Sequence, residues 1–251
     1  MESAVIKIQS WFRGCLFRLK RLPLILYHIQ KHLEALPFEF STKTADGRVN
    51  SSLDEHNIID ALLNRFNTEQ TTKIKTPSLR MWYDILVFDY CLNRWLPVNI
   101  KTTTTTSSDN TGNIAMCVYA YTDEDLKLST TKTYHNGTMS KLLLQKLELM
   151  EYNKIPKKDY YFIVMNKRKS SDVIINSVKG LAHLTPNINN LPFQVKWNNN
   201  RHFRYDRILE KLTLFKQCIN KPRPSWQEAF TARMRLLAIP HENSKSADAQ
   251  F

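Results

Sequence analysis

The sequence predicts an α/β protein, a mixed central β-sheet flanked by α-helices. Three observations point there. Tyr160 to Met165 is an almost unbroken apolar run with the length of a strand, as expected for a strand covered on both faces. Arg80 to Thr103 reads as two strands joined by a short loop. Between such runs stand stretches with apolar residues three and four apart, the helical period, as in Ile58, Ile59, Leu62, Leu63 and Phe66.

The chain of 251 residues is long enough for one large domain, or a domain with an appendage, and 42% hydrophobic residues can build its core. The formal charge of +13 concerns partners rather than fold. A polyanion is implied, with nucleic acid the commonest and an anionic membrane surface the competitor. Only 5 glycines are present, with no GxxxxGK[ST] or GxGxxG, which argues against a glycine-rich phosphate loop. Four cysteines are scattered without zinc spacing, so reduced, mostly buried thiols are expected. No stretch resembles a cleavable signal peptide, and the early apolar run LPLILY is too short to span a bilayer. A soluble intracellular protein, in cytoplasm or nucleus, is the expectation.

In chain order, Ala4 to Leu22 reads as a basic amphipathic helix with Val5, Ile8, Phe12, Leu16 and Leu19 on one side. Pro23 interrupts it and Leu24 to Leu36 resumes as a second helix. His28 and His32 are spaced i,i+4, but no acid or cysteine nearby completes a metal set, so they read as a surface pair. Asp46-Gly47 signals a turn. Ser51 or Ser52 is expected to cap the next helix, with Asp54 and Glu55 in its first turn, favourable against the helix dipole. Asn67 to Ser78 reads as a polar linker.

Thr102 to Thr106 are five threonines in a row. The first two are expected to finish a strand. The rest, with Thr103, line a cleft where hydroxyls and backbone N–H groups can meet phosphates. Asp109 and Asn110 read as the N-cap of an apolar helix, Ile114 to Tyr121, and, following the threonines, as candidate DNA contacts. Met139 to Met150 is a leucine-rich helix. Tyr160 to Val178 is a hairpin whose basic turn, Lys167, Arg168 and Lys169, suits a DNA backbone. Asn198 to Asn200 resemble a hairpin turn between Phe193–Trp197 and His202–Tyr205. Helices follow over Asp206–Asn220 and Ser225–Leu237, and residues 241–251 are expected to be disordered.

The chemistry gathers between Arg80 and Asn110, RMWYDILVFDYCLNRWLPVNIKTTTTTSSDN. Asn99 and Lys101 stand two apart on one strand and project together, and Asp84 can join them from the neighbouring strand. An acid on one strand followed by an acid-x-Lys element on the next resembles the PD-(D/E)XK nucleases, and the surrounding words resemble type II restriction endonucleases. Asp84 matches the first acid. Asn99 and Lys101 match the (D/E)xK element, with Asn99 where an acid is usual. Glu55, in "DGRVNSSLDEHNIIDALL", matches a further acid on the first helix. The resemblance covers about Asp46 to Asn110, with weaker support to Leu181. It implies a restriction-endonuclease-like fold and a Mg2+-dependent cut of double-stranded DNA by a homodimer. Asp84 would be a metal ligand, Glu55 or Asp109 would supply the second carboxylate, the Ile100 carbonyl would complete the shell, and Lys101 would be the catalytic lysine. An inactive site that only binds DNA is the alternative.

A second resemblance lies upstream. Ile8-Gln9, Arg13-Gly14 and Arg18 fit IQxxxRGxxxR in full and are similar to helices that bind calmodulin-like proteins over residues 4–22. Such an element on a restriction-like body points to a eukaryotic or eukaryote-infecting viral source. Residues 1–40 then form a basic helical extension, 41–240 a nuclease-like domain and 241–251 a tail.

Overall fold

The computed structural model describes residues 22–68, 71, 73–77, 81–111, 114–121, 158–186 and 193–203. The IQ-like positions Ile8, Gln9, Arg13 and Arg18, the helices expected at 139–150, 206–220 and 225–237, and the tail lie outside these residues.

Helices α1 (Leu24–Ala35) and α2 (Gly47–Phe66) precede strands β1 (Ile74–Lys75), β2 (Ile85–Asp89), β3 (Arg94–Thr103) and β4 (Ser108–Thr111). Helix α3 (Ile114–Tyr121) follows, then β5 (Tyr161–Asn166), β6 (Lys169–Ser177), β7 (Thr185–Pro186), β8 (Phe193–Lys196) and a 3-10 turn, Trp197–Asn200. The main sheet has the order β1-β2-β3-β5-β6. Among the described strands of this sheet only β3 and β5 run parallel, with Ile100 opposite Ile163, and the sheet is therefore mixed. A second sheet has the order β4-β8-β7.

Strand alternation divides the core between two faces. Val98 and Ile100 of β3, with Ile163 and Met165 of β5, meet Leu26, Ile29 and Leu33 of α1 and Ile58 and Leu62 of α2. Phe162 and Val164 face the other way, toward Met116 to Tyr121 of α3, Trp82 and Trp197. The α/β reading and the buried character of β5 hold. α1 departs from the expected basic extension: Leu26, Ile29 and Leu33 are fully buried and Gln30 donates to the Val173 carbonyl of β6 at 2.8 Å. The second helix of residues 1–40 is part of the core.

Other departures are local. Asp46, not Ser51 or Ser52, is the N-cap of α2, accepting from the Arg48 N–H at 2.8 Å. Ser51 is inside the helix and donates to the Gly47 carbonyl. The expected linker contains the edge strand β1, which pairs with β2. Asp109 and Asn110 do not cap α3; they lie in β4, opposite Val195 and Gln194. Residues 198–200 lie in the 3-10 turn, and β8 pairs with β4 and β7; the expected partner strand His202–Tyr205 lies partly outside the described residues. Cys117 is buried as expected, but Cys91 is exposed.

Candidate active site

β3 runs past the end of β2. Their register stops at Ile85 opposite Val98, and the Asp84 N–H adds one further bond to the Val98 carbonyl at 3.0 Å. Beyond that point the β2-facing edge of β3 has no strand partner among the described residues. Its N–H groups need acceptors. The Asp84 carboxylate supplies one, Oδ2 accepting from the Ile100 N–H at 2.7 Å. The Thr102 backbone is bound by Glu55, reaching in from α2. Because a strand residue turns its N–H and C=O to the same neighbour, the Ile100 carbonyl faces this open edge too. Two carboxylates from different elements thus flank one bare stretch of strand.

The bend that presents Asp84 is wedged in place. Trp82 stacks on Tyr160 at 5.5 Å, and the Tyr160 hydroxyl donates to the Trp82 carbonyl at 2.7 Å. Asn99 donates to Asp84 Oδ2 at 2.6 Å, so Asp84 and Asn99 meet as the strand pattern predicts. That contact uses the amide N–H of Asn99 as a donor, not its oxygen as a metal ligand. Lys101, on the same face of β3, lies 3.8 Å from Asp109 Oδ2. Asp109 is anchored by the Trp197 indole N–H at 2.9 Å.

The electrostatics follow from this crowding. Burial pushes the Glu55 carboxyl up to about 7; Lys101 and the Thr102 backbone oppose the shift, while Asp84 and Asp109 add to it. Burial likewise raises Asp84, opposed by the Ile100 N–H, Lys101 and the neighbouring His56. Glu55, Asp84, Lys101 and Asp109 are therefore close enough to act on one another.

The remaining expected residues lie around this centre. Thr103 ends β3 and its carbonyl accepts from the Lys167 N–H at 2.9 Å. The basic turn therefore stands beside the strand end. Lys167 does not project from the tip: its ammonium donates to Ser51 at 2.8 Å and lies 3.7 Å from Asp54, both on α2. Arg168 and Lys169 are exposed, as is Asn110. Thr104 bonds Ser107 at 2.7 Å, whereas Thr105, in the left-handed region at φ 57°, is buried.

Two contributors were not anticipated, His56 and Trp197. His56 adjoins Glu55 in sequence, and its Nδ1 lies 2.7 Å from the Ser52 carbonyl. Nothing in the sequence near Trp197 announces its role, which exists only through the β4–β8 pairing.

Mg2+ commonly takes one or two carboxylates and keeps several waters. Among the described residues no cluster of three or more His, Cys, Asp or Glu has metal-holding geometry. The pair Glu55 and Asp84, with the Ile100 carbonyl on the same edge, fits such a sparse site. Both carboxyls are raised by burial, which Lys101 offsets only in part, the condition a cation relieves.

Compared with known proteins, residues 2–20 match the IQ calmodulin-binding motif. No nuclease family matches, and no curated protein matches the chain. Among the described residues no helix is long and apolar enough to cross a membrane.

Proposed function

We propose that this chain is a Mg2+-dependent endodeoxyribonuclease that hydrolyses phosphodiester bonds of double-stranded DNA, similar to type II restriction enzymes and working as a homodimer. The observation that carries the reading is the pair Asp84 and Glu55 bracketing the open edge of β3, with Lys101 beside them. The mixed α/β architecture is consistent with this reading.

Hydrolysis requires a water to attack phosphorus, the charge on the pentavalent centre to be offset, and the ester oxygen to leave with a proton. Mg2+, when bound, supplies Lewis-acid polarisation of a phosphate oxygen and of water. Asp84, Glu55 and the Ile100 carbonyl would hold it. Lys101 is within reach of the same centre and offsets phosphoryl charge or orients the water. Asn99 fixes the Asp84 carboxylate through the 2.6 Å bond. Asp109 steers the Lys101 ammonium. Thr103, Thr104, Asn110, Lys167, Arg168 and Lys169 would contact the DNA backbone, Lys167 from its docked position.

Purified protein is incubated with plasmid DNA in Mg2+ or in EDTA. Cleavage in Mg2+ alone, lost in Lys101→Ala and Asp84→Ala, is expected. Wild-type cleavage rates in Lys101→Ala would remove the catalytic assignment. DNA that is shifted in mobility but never cut would make Asn99 the mark of an inactive binding site.

The match at residues 2–20 favours a second, compatible reading, recruitment of a calmodulin-like protein through Ile8, Gln9, Arg13 and Arg18. A basic amphipathic segment suits an acidic, methionine-lined groove. Because α1 belongs to the core, the test removes residues 1–21 only. Capture by calmodulin that survives this deletion would exclude the motif.

A further inference from the structure

The corner formed by β1, β2 and the turn Tyr90–Asn93 carries aromatic rings interleaved with lysines. Phe88 lies opposite Trp95 in the β2–β3 register, and their rings meet edge to face at 5.2 Å. Tyr90 packs against Phe88 in the same manner at 4.8 Å and is 56% exposed. The Lys73 ammonium sits 5.9 Å from the Tyr90 ring centre and the Lys75 ammonium 4.4 Å from that of Trp95. Lys75 stands opposite Leu86, so both it and the rings occupy one face of the sheet. The nearest carboxylate on these strands, Asp89, is buried at 1% exposure and bonded to the Leu92 N–H.

We propose that Lys73, Lys75, Phe88, Tyr90 and Trp95 form a docking surface for single-stranded nucleic acid. Unpaired bases have free faces to stack on rings, and the lysines held over those rings can offset the charge of the phosphates between the bases. A duplex keeps its bases stacked on one another and offers only its backbone. In the free protein the ammonium groups cover the rings; on binding, bases take the ring faces and the lysines turn to phosphates. Chain charge of +13 favours the same class of partner. Docking stands independently of the cleavage reading. Only its use depends on that reading: Trp95, Asn99 and Lys101 share one face of β3, so a docked strand would be aligned with the candidate site about 20 Å away.

The test is fluorescence anisotropy of the full chain in EDTA, with labelled oligothymidylate, oligouridylate and a duplex of equal length. Tyr90→Ala combined with Lys73→Gln and Lys75→Gln changes half-buried or exposed side chains, and an unchanged melting curve checks its fold. The expected result is about tenfold or more weaker single-strand binding, duplex affinity nearly unchanged, and a salt slope shallower by about 1.4 for two lost phosphate contacts. Tyr90→Phe should bind as the wild type. Unchanged single-strand affinity in the triple variant, an equal loss on duplex, or equally tight and equally sensitive binding of polyglutamate would each overturn the proposal. Asp84→Ala should retain single-strand binding, which separates failure of this surface from failure of the cleavage site.

Discussion

At position 99 a carboxylate would stand 2.6 Å from Asp84, where the amide now donates a hydrogen bond. Two acids at that distance repel unless a cation lies between them. Asn99→Asp should therefore cost about 1–3 kcal/mol at pH 8 without divalent ions, and Mg2+ should restore much of it; thermal melts with and without the ion measure both. Glu55 gives a second test. Its carboxyl is raised from 4.5 to about 7, so the folded state binds the proton more tightly than the unfolded state. Stability from this group is complete below about 4.5 and declines as pH rises to about 7. The decline should be about 2 kcal/mol, less than the full shift because the side chain is only partly buried, and Glu55→Gln should abolish it. Denaturation midpoints between pH 4.5 and 8 decide the matter. The proximity of Asp84, Asn99 and Lys101 was legible in sequence because strand alternation dictates it. The direction of the Asn99 hydrogen bond was not, since either end of an amide can face a neighbour.

Helix α2 links the site to the rest of the protein. Its start was misread because Asp46-Gly47 also signals a turn and Ser51, Ser52 and Glu55 imitate a later capping pattern. The cap geometry decides: Asp46 accepts from Arg48, and the helix gains a turn. Asp46→Ala should destabilise the fold by about 1 kcal/mol in chemical denaturation. Lys167 ties the β5–β6 turn to the same helix, and its partner Asp54 is fully buried with Oδ2 lacking a hydrogen bond. Lys167→Met should therefore cost about 2 kcal/mol, more than loss of an exposed surface cation, with Arg168→Ala near neutral as the comparison. β1 was missed because two residues are too few to show alternation, and β4 because SSDN favours caps and turns when read locally. Both strands owe their existence to partners distant in sequence.

Across the whole molecule, the two-faced core was legible because β5 is apolar on both sides and α2 on one. The second sheet was not. It depends on Asn200, whose side chain binds the backbone of Ala182, His183 and Lys196, joining segments that no local pattern relates. Gly180 shows how tightly that region closes. A Cβ there would collide with Asn176 Oδ1 and lie 2.8 Å from the Phe203 ring, so Gly180→Ala should lower the melting temperature by several degrees. The parallel pairing of β3 with β5 carries a different consequence, one of timing during synthesis. Glu55, Asp84, Asn99 and Lys101 have all left the ribosome before Tyr161–Asn166 has been made, yet β3 remains an open edge until that strand docks. At about 5–20 residues per second the interval is roughly 3–12 s. A nascent chain interrupted in that window would carry every candidate catalytic side chain with no finished sheet to hold them, so under the proposed function a prematurely terminated product would leave DNA uncut.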